Sequence, residues 1–170
     1  MTIAFHWLVA ASVAGQLVLG WWMRTVPKSP PGLRAGWFNL HKSIGLTIAL
    51  VVLAWLLARR RGDAADPLPR WQRIAARVNH ALLLATLLAL AVSGYLGSSF
   101  TAYPVLYFGR ALPQWGHDWP AGKEAMSTLH LLAVWLLMSL LVLHIAAALW
   151  HWFNGHASAR RIGLPRLRGS

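Results

Sequence analysis

Four long stretches of this chain carry no Asp, Glu, Lys or Arg: residues 5–23, 43–58, 78–109 and 125–159. A helix that crosses a hydrocarbon core ~30 Å thick needs ~20 mostly apolar residues. The first run meets that length directly, and the second reaches it when extended back through Leu40 and His41 toward Trp37. The third is expected to be helical to about Leu96, because Gly94, Gly97, Ser98 and Ser99 interrupt the pattern there. The fourth is long enough to emerge from a bilayer at one end. The expected fold is all-α: a single integral membrane domain over 1–170, with helices at about 4–24, 37–59, 75–97 and 124–154. Connections of this length favour an up-down-up-down four-helix bundle.

Composition removes several alternatives. Charged residues make up 12% of the chain, against about 25% in soluble domains. The net charge of +12 would suit nucleic acid, but the basic residues lie in short segments between the apolar runs, so no nucleic-acid partner is expected. The absence of cysteine excludes disulfides, cysteine-ligated iron–sulfur clusters, zinc ribbons and covalently attached haem. The first run does not read as a signal peptide, since no basic residue precedes it and Trp21, Trp22, Met23 and Arg24 stand where small residues should mark cleavage. Trp7, Trp21, Trp22, Trp37, Trp150 and Trp152 lie near proposed span ends, as interfacial tryptophans do, whereas Trp55 and Trp135 lie well inside uncharged runs.

Sidedness follows from Lys and Arg alone. Ten of them fall in the second loop and the tail: Arg59, Arg60, Arg61, Arg70, Arg73 and Arg77, then Arg160, Arg161, Arg166 and Arg168. Six fall on the opposite side: Arg24, Lys28, Arg34, Lys42, Arg110 and Lys123. Both termini are therefore expected in the cytoplasm. The segment 97–123, rich in Tyr, Phe, Trp and Pro, then faces the periplasm and is expected to pack on the bundle or dip into the interface.

Histidines carry the chemistry. Ionisable residues inside membrane spans are costly and usually functional. Of the 8 histidines, His6, His41 and His80 lie near the starts of the first three helices, and His130, His144 and His151 all lie on the fourth. His117 and His156 read as surface residues. His130 and His144 are 14 residues apart, which places them on one helix face ~21 Å apart along the axis, one toward each leaflet. Two stacked imidazoles suit two haems, each needing an axial partner at the same depth on another helix. His41 enters from the periplasmic side, where His130 lies, and His6 from the cytoplasmic side, where His144 lies. The pairs His41–His130 and His6–His144 match by depth. Bis-histidine ligation leaves no open iron position and suits electron transfer. Gly45, four residues after His41, lies on the same face and leaves room for a flat macrocycle. Ala146, Ala147 and Ala148 do the same beside His144. Small residues also serve plain helix packing. A single histidine near a helix end is ordinarily an interfacial hydrogen-bonding group. His80 is in that position and competes with His6, and His151 either faces water or lines a quinone pocket.

These motifs together resemble the bacterial cytochrome b561 family. They are His6-Trp7, His41-x3-Gly45, Arg59, Asn79-His80 with the following apolar run and Gly94, His130, and His144 with its alanine run and His151. Pro104-x3-Phe108-Gly109-x3-Pro113 is similar to a periplasmic segment of the family's superoxide oxidase member. The resemblance implies an inner-membrane protein with two haem b groups, superoxide giving its electron at the periplasmic haem and ubiquinone receiving electrons. It implies that His41 and His130 hold the periplasmic haem, that His6 and His144 hold the cytoplasmic one, and that His151 lies near the quinone. It also implies a longer polar leader than the five residues ahead of His6, and an arginine where this chain has Trp55.

Superoxide is a small anion, and a basic mouth would steer it. Lys42, beside His41, and Arg24 are the steering candidates; the same bases could neutralise haem propionates or meet lipid phosphates. The expected partners are lipid, ubiquinone as acceptor or donor, and a small anionic or redox substrate. A partner protein is possible but not required: the alternative role is a haem b subunit relaying electrons for a larger dehydrogenase or hydrogenase. The short loops offer little docking surface for one.

Overall fold

The computed structural model describes residues 3–58 and 69–154. Within them, helices α1 (Ile3–Trp22), α2 (Leu33–Ala58), α3 (Arg70–Ser99) and α4 (Pro120–Phe153) follow one another, with a hairpin of β1 (Leu106–Tyr107) and β2 (Arg110–Ala111) between α3 and α4. All four helices are long and apolar enough to cross a membrane. The 34 residues of α4 extend ~51 Å, so this helix outruns a ~30 Å hydrocarbon core.

Helix is the state these runs must adopt in lipid, because it satisfies every backbone polar group within the segment. Six hydroxyls inside the spans are satisfied the same way. Ser12, Ser43, Thr47, Ser93, Ser98 and Ser139 each donate to the carbonyl four residues back, at 2.7–3.0 Å. This explains a departure from the sequence expectation: α3 does not stop near Leu96 but continues to Ser99, Ser98 being tied to the Gly94 carbonyl at 2.9 Å. Helices α2, α3 and α4 also begin about a turn earlier than expected, at Leu33, Arg70 and Pro120. The added turns hold Arg34, Arg70, Arg73 and Lys123, which a search for uncharged runs passes over. Pro120 suits a first helical position, where its missing N–H costs nothing.

The helices pack in sequence order, α1 on α2, α2 on α3 and α3 most extensively on α4. Phe5 stacks on Trp55 at 6.2 Å, and Trp22 meets Trp37 edge-on at 4.6 Å, so α1 and α2 run antiparallel and are clasped at both ends. Trp55 thus lies level with the start of α1, at the edge of the bundle rather than well inside a span. Trp135 is 56% exposed, and α4 presents it outward. No Cα of α1 or α2 lies within 8 Å of a Cα of α4. The fourth helix therefore stands off from the first two, and only side chains bridge the gap.

The segment before α4 packs on the bundle, with a hairpin that the sequence reading did not anticipate. Phe108 and Gly109 both have positive φ, 45° and 84°, as the two central residues of a type I′ turn require. The Phe108 N–H donates to Ser43 Oγ at 2.9 Å, and the Tyr107 hydroxyl lies 3.1 Å from Thr47 Oγ1. Val105 is fully buried beneath, and its carbonyl accepts from the Leu112 N–H at 2.8 Å. Further along, the Gln114 amide donates to the Thr101 and Tyr103 carbonyls at 2.5 and 3.1 Å, and the Tyr95 hydroxyl to the Pro113 carbonyl.

Candidate functional site

At the end of the bundle where α2 and α4 begin, the rings of His41 and His130 face one another with centroids 6.4 Å apart and planes at 72°. Each ring lies over a glycine of a neighbouring helix. A Cβ on Gly20 of α1 would come within 3.2 Å of His41 Cε1, and one on Gly94 of α3 within 3.4 Å of His130 Cε1. His130 Nδ1 lies 3.0 Å from the Leu90 carbonyl and 3.1 Å from the hydroxyl of buried Ser93. A carbonyl only accepts, so Nδ1 carries the proton and Nε2 keeps its lone pair for a metal. The Gln16 amide holds the His41 backbone carbonyl at 3.2 Å. His41 Nδ1 is buried without a hydrogen-bond partner among the described residues.

Three imidazoles meet at the opposite end. The His6 and His144 rings are 6.1 Å apart, and His80 of α3 meets the His144 ring edge-on at 5.0 Å and 83°. His80 Nδ1 lies 2.6 Å from the Ala76 carbonyl. The depth matching expected from sequence is thus present as ring contact at both ends, and His80 joins the second pair.

These surroundings fit haem. A metal between two imidazoles, each bonded at about 2 Å through a nitrogen about 1 Å from its ring centre, places the centroids about 6 Å apart. The two pairs stand at 6.4 and 6.1 Å. Two imidazoles facing at this spacing are the number of donors that an iron in a macrocycle leaves to the protein. A Cβ on Gly45 would meet nothing within 4 Å, leaving open space one turn beyond His41.

The remaining sequence candidates are more dispersed. Lys42 is half-buried beside His41. Arg24 is exposed in the turn after α1, and its carbonyl accepts from Arg34 Nη2 at 2.7 Å. The Arg34 guanidinium lies 5.8 Å from the centre of the Phe38 ring. His151 is half-buried near the end of α4, its ring edge-on to Trp150 at 4.9 Å. His117 is exposed. Arg59, His156 and the basic residues of the tail lie outside the described residues. Gly20 beneath His41, the Leu90 and Ser93 clamp on His130, and the hairpin tie to α2 escaped the sequence reading, which had Gly94 only as part of the family motif. The pair Phe108-Gly109 was the legible signal for the last, as a two-residue turn ending in glycine.

Comparison with known proteins adds the family. A family model described as prokaryotic cytochrome b561 matches residues 1–163. The chain belongs to the prokaryotic cytochrome b561 family. It is also 34% identical over 161 residues to cytochrome b561 homolog 2 of Escherichia coli (strain K12), a match covering 90% of this chain and 83% of that protein. The chain is accordingly a bacterial membrane protein of electron transfer, and membership of the cytochrome b561 family implies that it binds haem b.

Proposed function

We propose that this cytochrome b561 holds two haem b groups, one between His41 and His130 and one between His6 and His144, and moves electrons from periplasmic superoxide to membrane ubiquinone. The observation that carries the reading is the pair of imidazole couples, each about 6 Å across, set at two depths on either side of the middle of α4. When bound, haem b supplies a one-electron iron couple at each end of the span.

The protein's own groups do the rest. His41 and His130 would hold one iron, the Leu90 carbonyl keeping the His130 proton on Nδ1 and leaving its Nε2 free to ligate. Lys42 and Arg24 draw a small anion toward the periplasmic end, where attraction raises its local concentration. His151, near the end of α4, lies beside the quinone at the opposite end. Two superoxide ions lose one electron each to give two molecules of oxygen, and one ubiquinone takes up two electrons and two protons. With ten Lys and Arg on the side of both termini against six on the other, the His6–His144 end faces the cytoplasm.

An optical spectrum of detergent-purified protein, oxidised and dithionite-reduced, with haem counted per chain, tests the ligand set. Two low-spin b-type haems are expected. His6→Ala, His41→Ala, His130→Ala and His144→Ala should each lose about half of the haem; a haem content that survives all four sinks the assignment. Mixing with superoxide in a stopped flow should then reduce the cytochrome, and ubiquinone should reoxidise it. No reduction without an added protein would favour a subunit of a larger dehydrogenase or hydrogenase.

A further inference from the structure

His80 lies against the proposed ligand set without belonging to it. It lies on the exposed side of α3, yet its ring is held in place. Its Nδ1 stands 2.6 Å from the Ala76 carbonyl, one helical turn back. Because a carbonyl only accepts, that nitrogen carries the proton, and Nε2 of the neutral ring is left as an acceptor. The ring meets His144 edge-on at 83° with centroids 5.0 Å apart.

That spacing separates two roles. An iron between two imidazoles needs about 6 Å between ring centres. An N–H···N hydrogen bond of about 2.9 Å, with each nitrogen about 1 Å from its ring centre, needs about 5 Å. His6 stands at 6.1 Å from His144, the metal spacing, and His80 at 5.0 Å, the hydrogen-bond spacing. With Nε2 of His144 given to an iron, its Nδ1–H would need an acceptor, and the nearest imidazole is that of His80, its ring centre 5.0 Å away.

We propose that His80 is a positioning residue for His144, accepting the His144 Nδ1–H at Nε2 while its own Nδ1–H is anchored on the Ala76 carbonyl. This rests on the reading of His144 as an axial ligand. The two ends of the protein then differ in a defined way: His130 leans on a backbone carbonyl, whereas His144 leans on a second imidazole. An acceptor on the far nitrogen makes a ligating imidazole a stronger donor and favours ferric iron.

The test is a spectroelectrochemical titration of wild type, His80→Ala and His80→Gln, with haem counted per chain. His80→Ala is expected to keep both haems and its low-spin spectrum. One of the two one-electron components should shift about tenfold toward ferrous iron, which is about 59 mV upward. His80→Gln, whose amide oxygen can accept the same proton, should recover most of the shift. A His41→Ala protein, expected to keep only the His144 haem, should show the same displacement when His80→Ala is added, which assigns the component. Unchanged potentials in His80→Ala with both haems present would overturn the proposal. So would loss of one haem in His80→Ala, which would make His80 an axial ligand. Retention of both haems in His144→Ala would instead refute the underlying ligand reading, and it is scored on haem content alone.

Discussion

At the scale of single residues, the site is defined as much by what is missing as by what ligates. A valine in place of Gly20 would push its branched side chain into His41 Cε1, which a Cβ alone already approaches to 3.2 Å. The ring is half-buried between α1 and α4, so overpacking of about 1–3 kcal/mol is expected. Gly20→Val should therefore lose the His41 haem and keep the His144 haem, giving about one haem per chain in the reduced spectrum. Gly94→Val should do the same through His130. Ser93→Ala removes one of the two contacts on His130 Nδ1 while leaving the Leu90 carbonyl in place. Both haems should remain, and the loss of a single hydrogen bond should cost about 0.5–1.5 kcal/mol in thermal stability.

At the scale of elements, the hairpin is the least regular part of the structure and is tied to the helix that carries His41. Phe108 adopts φ 45° and is 59% exposed, so a bulky side chain occupies a left-handed position with little burial to offset it. That conformation costs about 1–2 kcal/mol in a residue other than glycine. Phe108→Asn restores the Asn-Gly pair that this turn favours and should stabilise the protein by about 1 kcal/mol, read as a higher Tm in detergent. Ser43→Ala acts in the opposite direction. It strands the Phe108 N–H, which now donates to the serine hydroxyl at 2.9 Å, and should lower stability by about 1–3 kcal/mol. An unaltered Tm in both variants would mean that the hairpin opens before the helices come apart.

At the scale of the whole molecule, α4 is the element on which both pairs depend, because it carries one histidine of each and touches α1 and α2 through side chains only. Haem between α4 and its opposite helices would act as part of the tertiary structure. Removing both haems should therefore lower the Tm of the bundle, whereas the α3–α4 pair should keep its helical circular dichroism. Sidedness is open to a direct check because the chain contains no cysteine. Lys28→Cys should react with a membrane-impermeant maleimide in intact spheroplasts, and Asn154→Cys only after permeabilisation. The reverse pattern would invert the proposed orientation and place the basic loop of the first connection in the cytoplasm.

Much of this architecture was legible in the chain itself, for a physical reason. A bilayer tests every segment against the same requirement, ~20 apolar residues with internally satisfied backbone, so four spans follow from local content. Depth is likewise a local quantity, since 1.5 Å per residue turns sequence position into height, and this allowed His41 to be set against His130 and His6 against His144. What tertiary structure alone decided was lateral. Which helix stands beside which placed Gly20 under His41 and Gly94 under His130, held α4 away from α1 and α2, and brought His80 of α3 against His144. Residues that meet across helices do so through rotation about each axis, and nothing in a uniformly apolar run specifies that rotation. Helix packing does, one small residue and one buried hydroxyl at a time.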